Sequence, residues 1–214
     1  MHRSGLWATA VLATISPERK KKRPTQEALW RSGAARSRPT PEQLQLSREL
    51  SACESADAVL DLAASRLTDL NGVCGSIALL KLVRSAGRRA TWLQSDPRLA
   101  QLLSVVEQLL EAMEAQGLAN TLYACGKLGL VLPAEWLQRY WHASALKLGV
   151  FKPQDFSNTL YACWQLGITQ PADWLQRYWH ASALKLGEFY PQALSNTLYA
   201  CGQLSLTPPA DWLL

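Results

Sequence analysis

The hexapeptide Asn-Thr-Leu-Tyr-Ala-Cys occurs three times, at residues 120–125, 158–163 and 196–201, each start 38 residues after the last. A fixed period of this size points to a string of small supersecondary units that bury their apolar faces only by stacking on one another. Trp136, Trp174 and Trp212 fall in the same register, as do Pro133, Pro171 and Pro209, and Gln116, Gln154 and Gln192. Residues 136–149 and 174–187 are identical at every position, which marks duplication rather than coincidence. The units run 118–155, 156–193 and 194–214. The third stops a few residues into its second half, so the sequence reads as a fragment of a longer array.

Each unit reads as two helices. In the second, Pro153 suits the first position of a helix, where its missing N–H costs nothing, and Gly167 suits its end. A second helix is expected from Pro171, with Asp173 at its positive end, to a stop at Gly187. Phe156, Leu160 and Cys163 make the buried stripe of the first helix, and Leu175, Tyr178, Trp179, Ser182 and Leu186 that of the second. The fold class is therefore all-α, an α-solenoid of stacked two-helix repeats with a 38-residue period. Upstream, 70–85 resembles a divergent first helix, and 97–115 a longer second helix leading straight into Leu118. Residues 41–67 supply one or two further helices, so 41–117 is a divergent helical region with a degenerate repeat.

Residues 1–40 differ in kind. They carry a net charge of +7, against −3 over 41–117 and +1 over 118–214. Arg19-Lys20-Lys21-Lys22-Arg23 lies among Pro, Ser and Ala without helical or strand periodicity, a composition that cannot offset the entropy of ordering. This basic leader reads as an organelle transit peptide, a nuclear or phosphate-contacting run, or a solvated linker. No apolar run is long enough to cross a bilayer as a helix. Five cysteines without a C-x-x-C pair argue against a disulfide framework or a zinc finger. The recurrence of Cys125, Cys163 and Cys201 follows from the recurrence of their helix, and they read as small buried residues. His142 and His180 lack a second ligand four residues on. No phosphate loop, metal constellation or nucleophile–base pair appears, so the chain is expected to be no enzyme, with no cofactor and no metal.

Leu-x-Asn-Thr-Leu-Tyr-Ala-Cys-x-x-Leu, followed by Pro133-Ala134-Glu135-Trp136 and its counterparts Pro171-Ala172-Asp173-Trp174 and Pro209-Ala210-Asp211-Trp212, resembles the octotricopeptide repeat of green-algal organelle proteins. The resemblance implies sequence-specific binding of single-stranded organellar RNA. It implies action in chloroplast post-transcriptional gene expression (mRNA stabilisation, processing or translation), with other proteins of an RNA-processing or translation complex as further partners. It raises the transit-peptide reading of the leader, with chloroplast as destination and mitochondrion as the alternative.

Helical repeat proteins read single-stranded RNA at about one base per repeat with two or three side chains each. Asn120, Tyr123 and Lys127 share one face of the first helix; the matching sets are Asn158, Tyr161 and Gln165, and Asn196, Tyr199 and Gln203. That face offers amides for base edges, aromatics for stacking and a cation for phosphate. An Asn repeated in every unit reads equally well as a structural ladder to the adjacent loop backbone, and the tyrosines as packing. Positions that differ between units are the better readers: Lys127/Gln165/Gln203, Gly126/Trp164/Gly202 and Ala119/Ser157/Ser195, with Trp164 the preferred stacking residue. Arg139 and Arg177 on the second helices could meet phosphates or simply be solvated. RNA binding of this kind should weaken steeply with salt. The nearly neutral repeats suit a rival reading, a protein–protein interaction scaffold.

Overall fold

A computed structural model describes residues 38–86 and 91–213; the leader up to residue 37, with its basic run, lies outside the described residues. Among the described residues ten α-helices follow in order: α1 (Pro41–Ala52), α2 (Ala56–Ser65), α3 (Gly72–Ser85), α4 (Pro97–Leu109), α5 (Ala115–Lys127), α6 (Ala134–Ala145), α7 (Pro153–Leu166), α8 (Ala172–Ala183), α9 (Pro191–Leu204) and the short α10 (Ala210–Leu213). No strand occurs among the described residues, and no helix there is long and apolar enough to cross a membrane.

Local chemistry sets many of the starts. Proline opens α1, α4, α7 and α9, while Thr40, Ser55, Asn71 and Asp96 cap α1 to α4 by accepting from backbone N–H groups of the first turn. Gly167 ends α7 at φ 61°, where a residue without Cβ is least strained. Asp155 caps α7 differently, its carboxylate accepting from Lys152 N–H at 2.9 Å. Burial pushes the Asp155 carboxyl up from its ordinary value. The folded chain then holds more protons than the unfolded one just above that value, so this group makes stability fall as pH rises through the carboxylate range. Asp155→Asn, which keeps an acceptor oxygen and loses the charge, is expected to flatten that decline without loss of stability at pH 7. Asp155→Ala should cost about 1 kcal/mol. Urea unfolding at pH 4 and 7 checks both.

The helices form two rows. α1, α3, α5, α7 and α9 each pack on the next, and α2, α4, α6, α8 and α10 form a second row behind them, an arrangement consistent with an α-solenoid. Ala124, Ala162 and Ala200 are buried in the first row, and small residues let helix backbones approach. A Cβ on Gly126 would lie 3.3 Å from Ala162 Cα, so α5 and α7 touch almost backbone to backbone there.

The second row is bolted by tryptophans. Trp141 of α6 meets Trp174 of α8 at 4.8 Å between ring centroids, and Trp179 of α8 meets Trp212 of α10 at 5.5 Å. The indole N–H of Trp174 donates to Ser144 Oγ, and that of Trp212 to Ser182 Oγ, both at 2.9 Å. Trp136 is as deeply buried, but its N–H has no partner. The reason lies one unit back, because the position 38 residues before Ser144 holds Val106. Ser144→Ala should cost about 1–3 kcal/mol by orphaning a second indole. Val106→Thr, ordinarily harmful in a core, should instead be neutral or stabilising, and urea unfolding midpoints test the pair.

Ties between elements complete the packing. Tyr178 Oη donates to Phe156 O at 3.2 Å, Lys147 Nζ to Glu111 O at 2.7 Å and Lys185 Nζ to Phe151 O at 2.6 Å. Arg98 gathers Asp57, Asp61 and Asp96, joining α2 to α4.

The structure corrects three expectations. The helix of 97–115 does not run straight into Leu118: it ends at Leu109, passes through a 3₁₀ turn at Leu110–Ala112, and extended backbone at Met113 and Glu114 separates it from α5. Met113 is thereby buried in the core. The helix from Pro171 ends at Ala183 rather than Gly187, with Pro171 as its cap. Gly187 lies within a 3₁₀ turn, which lets Phe189 turn back onto Phe156 and Trp212. On α8, Tyr178, Trp179 and Ser182 are buried as expected, but Leu175 is only partly so and Trp174 takes the deeper place; Leu186 falls in the 3₁₀ turn beyond the helix and is also partly buried.

Candidate functional site

Each position of the repeated hexapeptide has a distinct duty in the fold. In its first two copies, Thr, Leu, Ala and Cys point inward: Thr121, Leu122, Ala124, Cys125, Thr159, Leu160, Ala162 and Cys163 are all buried. Burial pushes the thiols of Cys125 and Cys163 up to about 12 and that of Cys201 to about 11, which makes them poor nucleophiles. Asn and Tyr remain for the groove side, where Asn158 is 9% exposed and Tyr123 and Tyr161 are half-buried.

There the first-row helices line a shallow groove of about 270 Å³, bordered by Tyr123, Lys127, Gln154, Asn158, Tyr161, Gln192 and Asn196. Five of these are residues singled out from sequence, and α5, α7 and α9 each contribute. The tyrosines form a row: Tyr123 to Tyr161 and Tyr161 to Tyr199 are both 6.4 Å between ring centroids, tilted by 37° and 32°. The equal steps follow from helices packed side by side with the same residue in the same register.

A third side chain flanks each step of that row. The Lys127 ammonium lies 5.4 Å from the Tyr123 centroid and 4.7 Å from that of Tyr161, within cation–π range. In the next step the Trp164 ring meets Tyr161 at 5.1 Å and Tyr199 at 5.0 Å, edge to face in both cases.

The amides behave differently from a ladder to the loop backbone. Gln154 Nε2 donates to Asn158 Oδ1 at 2.6 Å, one turn apart on α7. Gln154 and Gln192 were visible in the sequence only as an in-register column ahead of each unit. Their spacing of four residues from the repeated Asn was the signal that places them on its face.

Other candidates lie elsewhere or are engaged. Ala119 and Ser157 are buried and cannot read a ligand. Gly126 is a helix contact, and Gln165 packs over it with its Oε1 buried and unpaired. Gln203 is exposed on α9, and Asn120 on α5 is half-buried; neither lines the groove. Arg139 and Arg177 are on the second row and outside the groove lining; Arg139 pairs with Glu107 of α4 at 3.3 Å. Of the columns that vary between repeats, Lys127 lines the groove, Ala119, Ser157, Gly126 and Gln165 go to packing, and Ser195 and Gln203 are exposed; the repeated Asn, Tyr and Gln supply the rest of the lining.

The model of the family described as "Tbc2 translation factor, N-terminal domain" matches residues 47–214. No curated protein matches the chain.

Proposed function

The chain belongs to the family of the Tbc2 translation factor N-terminal domain, and on that premise we propose that it binds single-stranded RNA along its groove, in the service of organellar translation or RNA regulation. The observation that carries this reading is the groove itself, which three successive helices line with amides from α7 and α9, tyrosines from α5 and α7, and the Lys127 ammonium of α5. Amides and aromatics are the side chains that single-stranded RNA requires, since its unstacked bases expose both edges and faces. The 38-residue unit supports the finer assignment to octotricopeptide-type repeats. With the basic leader, that resemblance favours the chloroplast, mitochondrion being the alternative. Stabilisation, processing and translation of mRNA all use the same binding step, and the translation factor named by the matching family favours the last. The chain acts as a binding module and not as an enzyme.

Charge sets what such binding looks like. Among the described residues Lys127 is the one cation lining the groove. Each phosphate neutralised on a single strand contributes about −0.7 to the slope of log affinity against log salt. The slope expected from the groove is therefore about −0.7, far shallower than the steep loss a basic row would give. Titration of labelled single-stranded RNA between about 50 and 200 mM salt tests this. Saturable binding with a shallow slope supports the reading, and absence of binding by the folded chain removes it. The scarcity of cations also favours the rival, a protein-binding scaffold, which predicts partner capture that survives RNase.

A further inference from the structure

We infer that Gln154 and Gln192, with Gln116 in the same register, are base-reading side chains, and that the groove selects a run of identical nucleotides in single-stranded RNA. The inference rests on the RNA-binding reading above and concerns how the same groove chooses its sequence.

The tyrosine row is closed to intercalation. Ring centroids about 4.5–7 Å apart already make an aromatic pair, so a base entering between two tyrosines 6.4 Å apart would have to part them. Lys127 lies against both rings of one step and Trp164 against both rings of the other. Bases must then meet the groove by their edges, on its amide side. The bond from Gln154 Nε2 to Asn158 Oδ1 holds both amides, leaving Gln154 Oε1 as an acceptor and Asn158 Nδ2 as a donor. A neighbouring donor and acceptor is the pattern by which amides take a base edge in two hydrogen bonds. Gln192 and Asn196 bring the same two side chains to the same groove from α9.

Within the groove lining Lys127 stands at a position that differs between units, and it lies against the rings of Tyr123 and Tyr161; the amides and tyrosines of the lining are the same in each unit. Equal readers at successive steps select equal bases. The ligand class is therefore a homonucleotide run, two nucleotides across the amides of α7 and α9 and longer if Gln116 and Asn120 join them.

Fluorescence anisotropy with the whole chain and labelled r(A)8, r(U)8, r(C)8 and the alternating r(AC)4, r(AU)4 and r(UC)4 tests this at about 50 mM salt. One homo-octamer is expected to bind at least about fivefold tighter than the alternating octamers that contain its base. Gln154→Leu and Gln192→Leu are each expected to reduce that ratio to about two or less, with the helical circular dichroism unchanged. Preference for an alternating octamer, or an equal loss on all octamers in both variants, overturns the inference and leaves RNA binding standing. No binding to any octamer by the folded chain overturns both.

Discussion

Trp174→Ala is expected to lower the unfolding free energy by about 3–5 kcal/mol, the range for truncating a buried aromatic in a core that relaxes only partly. Trp174 is 1% exposed. It packs on Trp141 from the preceding helix of its row and on Tyr178 of its own, at 4.8 and 5.4 Å, and its N–H is spent on Ser144. Alanine therefore empties a cavity between α6 and α8 and leaves the Ser144 hydroxyl without its donor. The second row has few backbone approaches to compensate, because its helices meet chiefly through these rings. Trp174→Phe keeps an aromatic in the cavity and should lose only about 1–2 kcal/mol, through the hydrogen bond and some volume. Urea unfolding followed by circular dichroism separates the two variants. Equal midpoints for the two variants would show that a ring in the cavity adds nothing and that the indole's extra bulk and its bond to Ser144 account for the whole loss.

Gly126→Leu and Gly202→Leu are expected to act in opposite directions, although both replace the same position of the repeat. At Gly126 a Cβ would already stand 3.3 Å from Ala162 Cα and from Gln165 Cβ, so the rest of a leucine forces α5 and α7 apart. Overpacking of this kind costs about 1–3 kcal/mol, and the cost falls on the step that sets the Tyr123–Tyr161 spacing. RNA affinity should therefore fall along with stability. At Gly202 nothing lies within 4 Å of the added Cβ. Removing a glycine from inside α9 should stabilise by about 0.5–1 kcal/mol through helix propensity alone. Thermal unfolding of the two variants side by side is the measurement. A stabilised Gly126→Leu would mean that the helices are not in contact there.

Much of this protein is legible in its sequence for a simple reason: repetition averages out the ambiguity of any single helix. Phe156, Leu160 and Cys163 are buried as their spacing requires, and α7 begins at Pro153 and ends at Gly167 as their chemistry requires. The phase of the units is less legible. Residues 118, 156 and 194, the unit starts read from the sequence, fall inside α5, α7 and α9, because a period fixes spacing and not where a helix starts. Gly187 misled for a related reason. Glycine ends a helix when it takes a positive φ, and the described glycines that do so are Gly129 and Gly167. Their counterpart Ser205 adopts φ 54° without being glycine at all, so the position, rather than the residue type, makes the turn.

The candidate site divides along the same line. Asn158, Tyr161, Lys127 and Asn196 could be placed on one face from helical spacing, since neighbours on a helix are fixed by local geometry. Gln154 stands four residues before Asn158 in a helix expected from Pro153, so its face is legible by the same rule, and only the bond between the two amides needed the structure. That Lys127 and Trp164 each lie against tyrosines of different helices could not be read at all, because the contact exists only once two helices lie side by side.

By itself the sequence determined the helical character, the two-helix unit and which side of each first-row helix turns inward, all properties of residues within one or two turns of each other. The tertiary structure alone decided the roles of residues that repeat in type. Gly126 becomes a close contact between α5 and α7; Trp174 finds the Ser144 hydroxyl and Trp136 finds no partner, Val106 standing at the matching position one unit back. Identical residues diverge in this way because burial and hydrogen bonding depend on the neighbouring helix, and the neighbour differs at each step along the array.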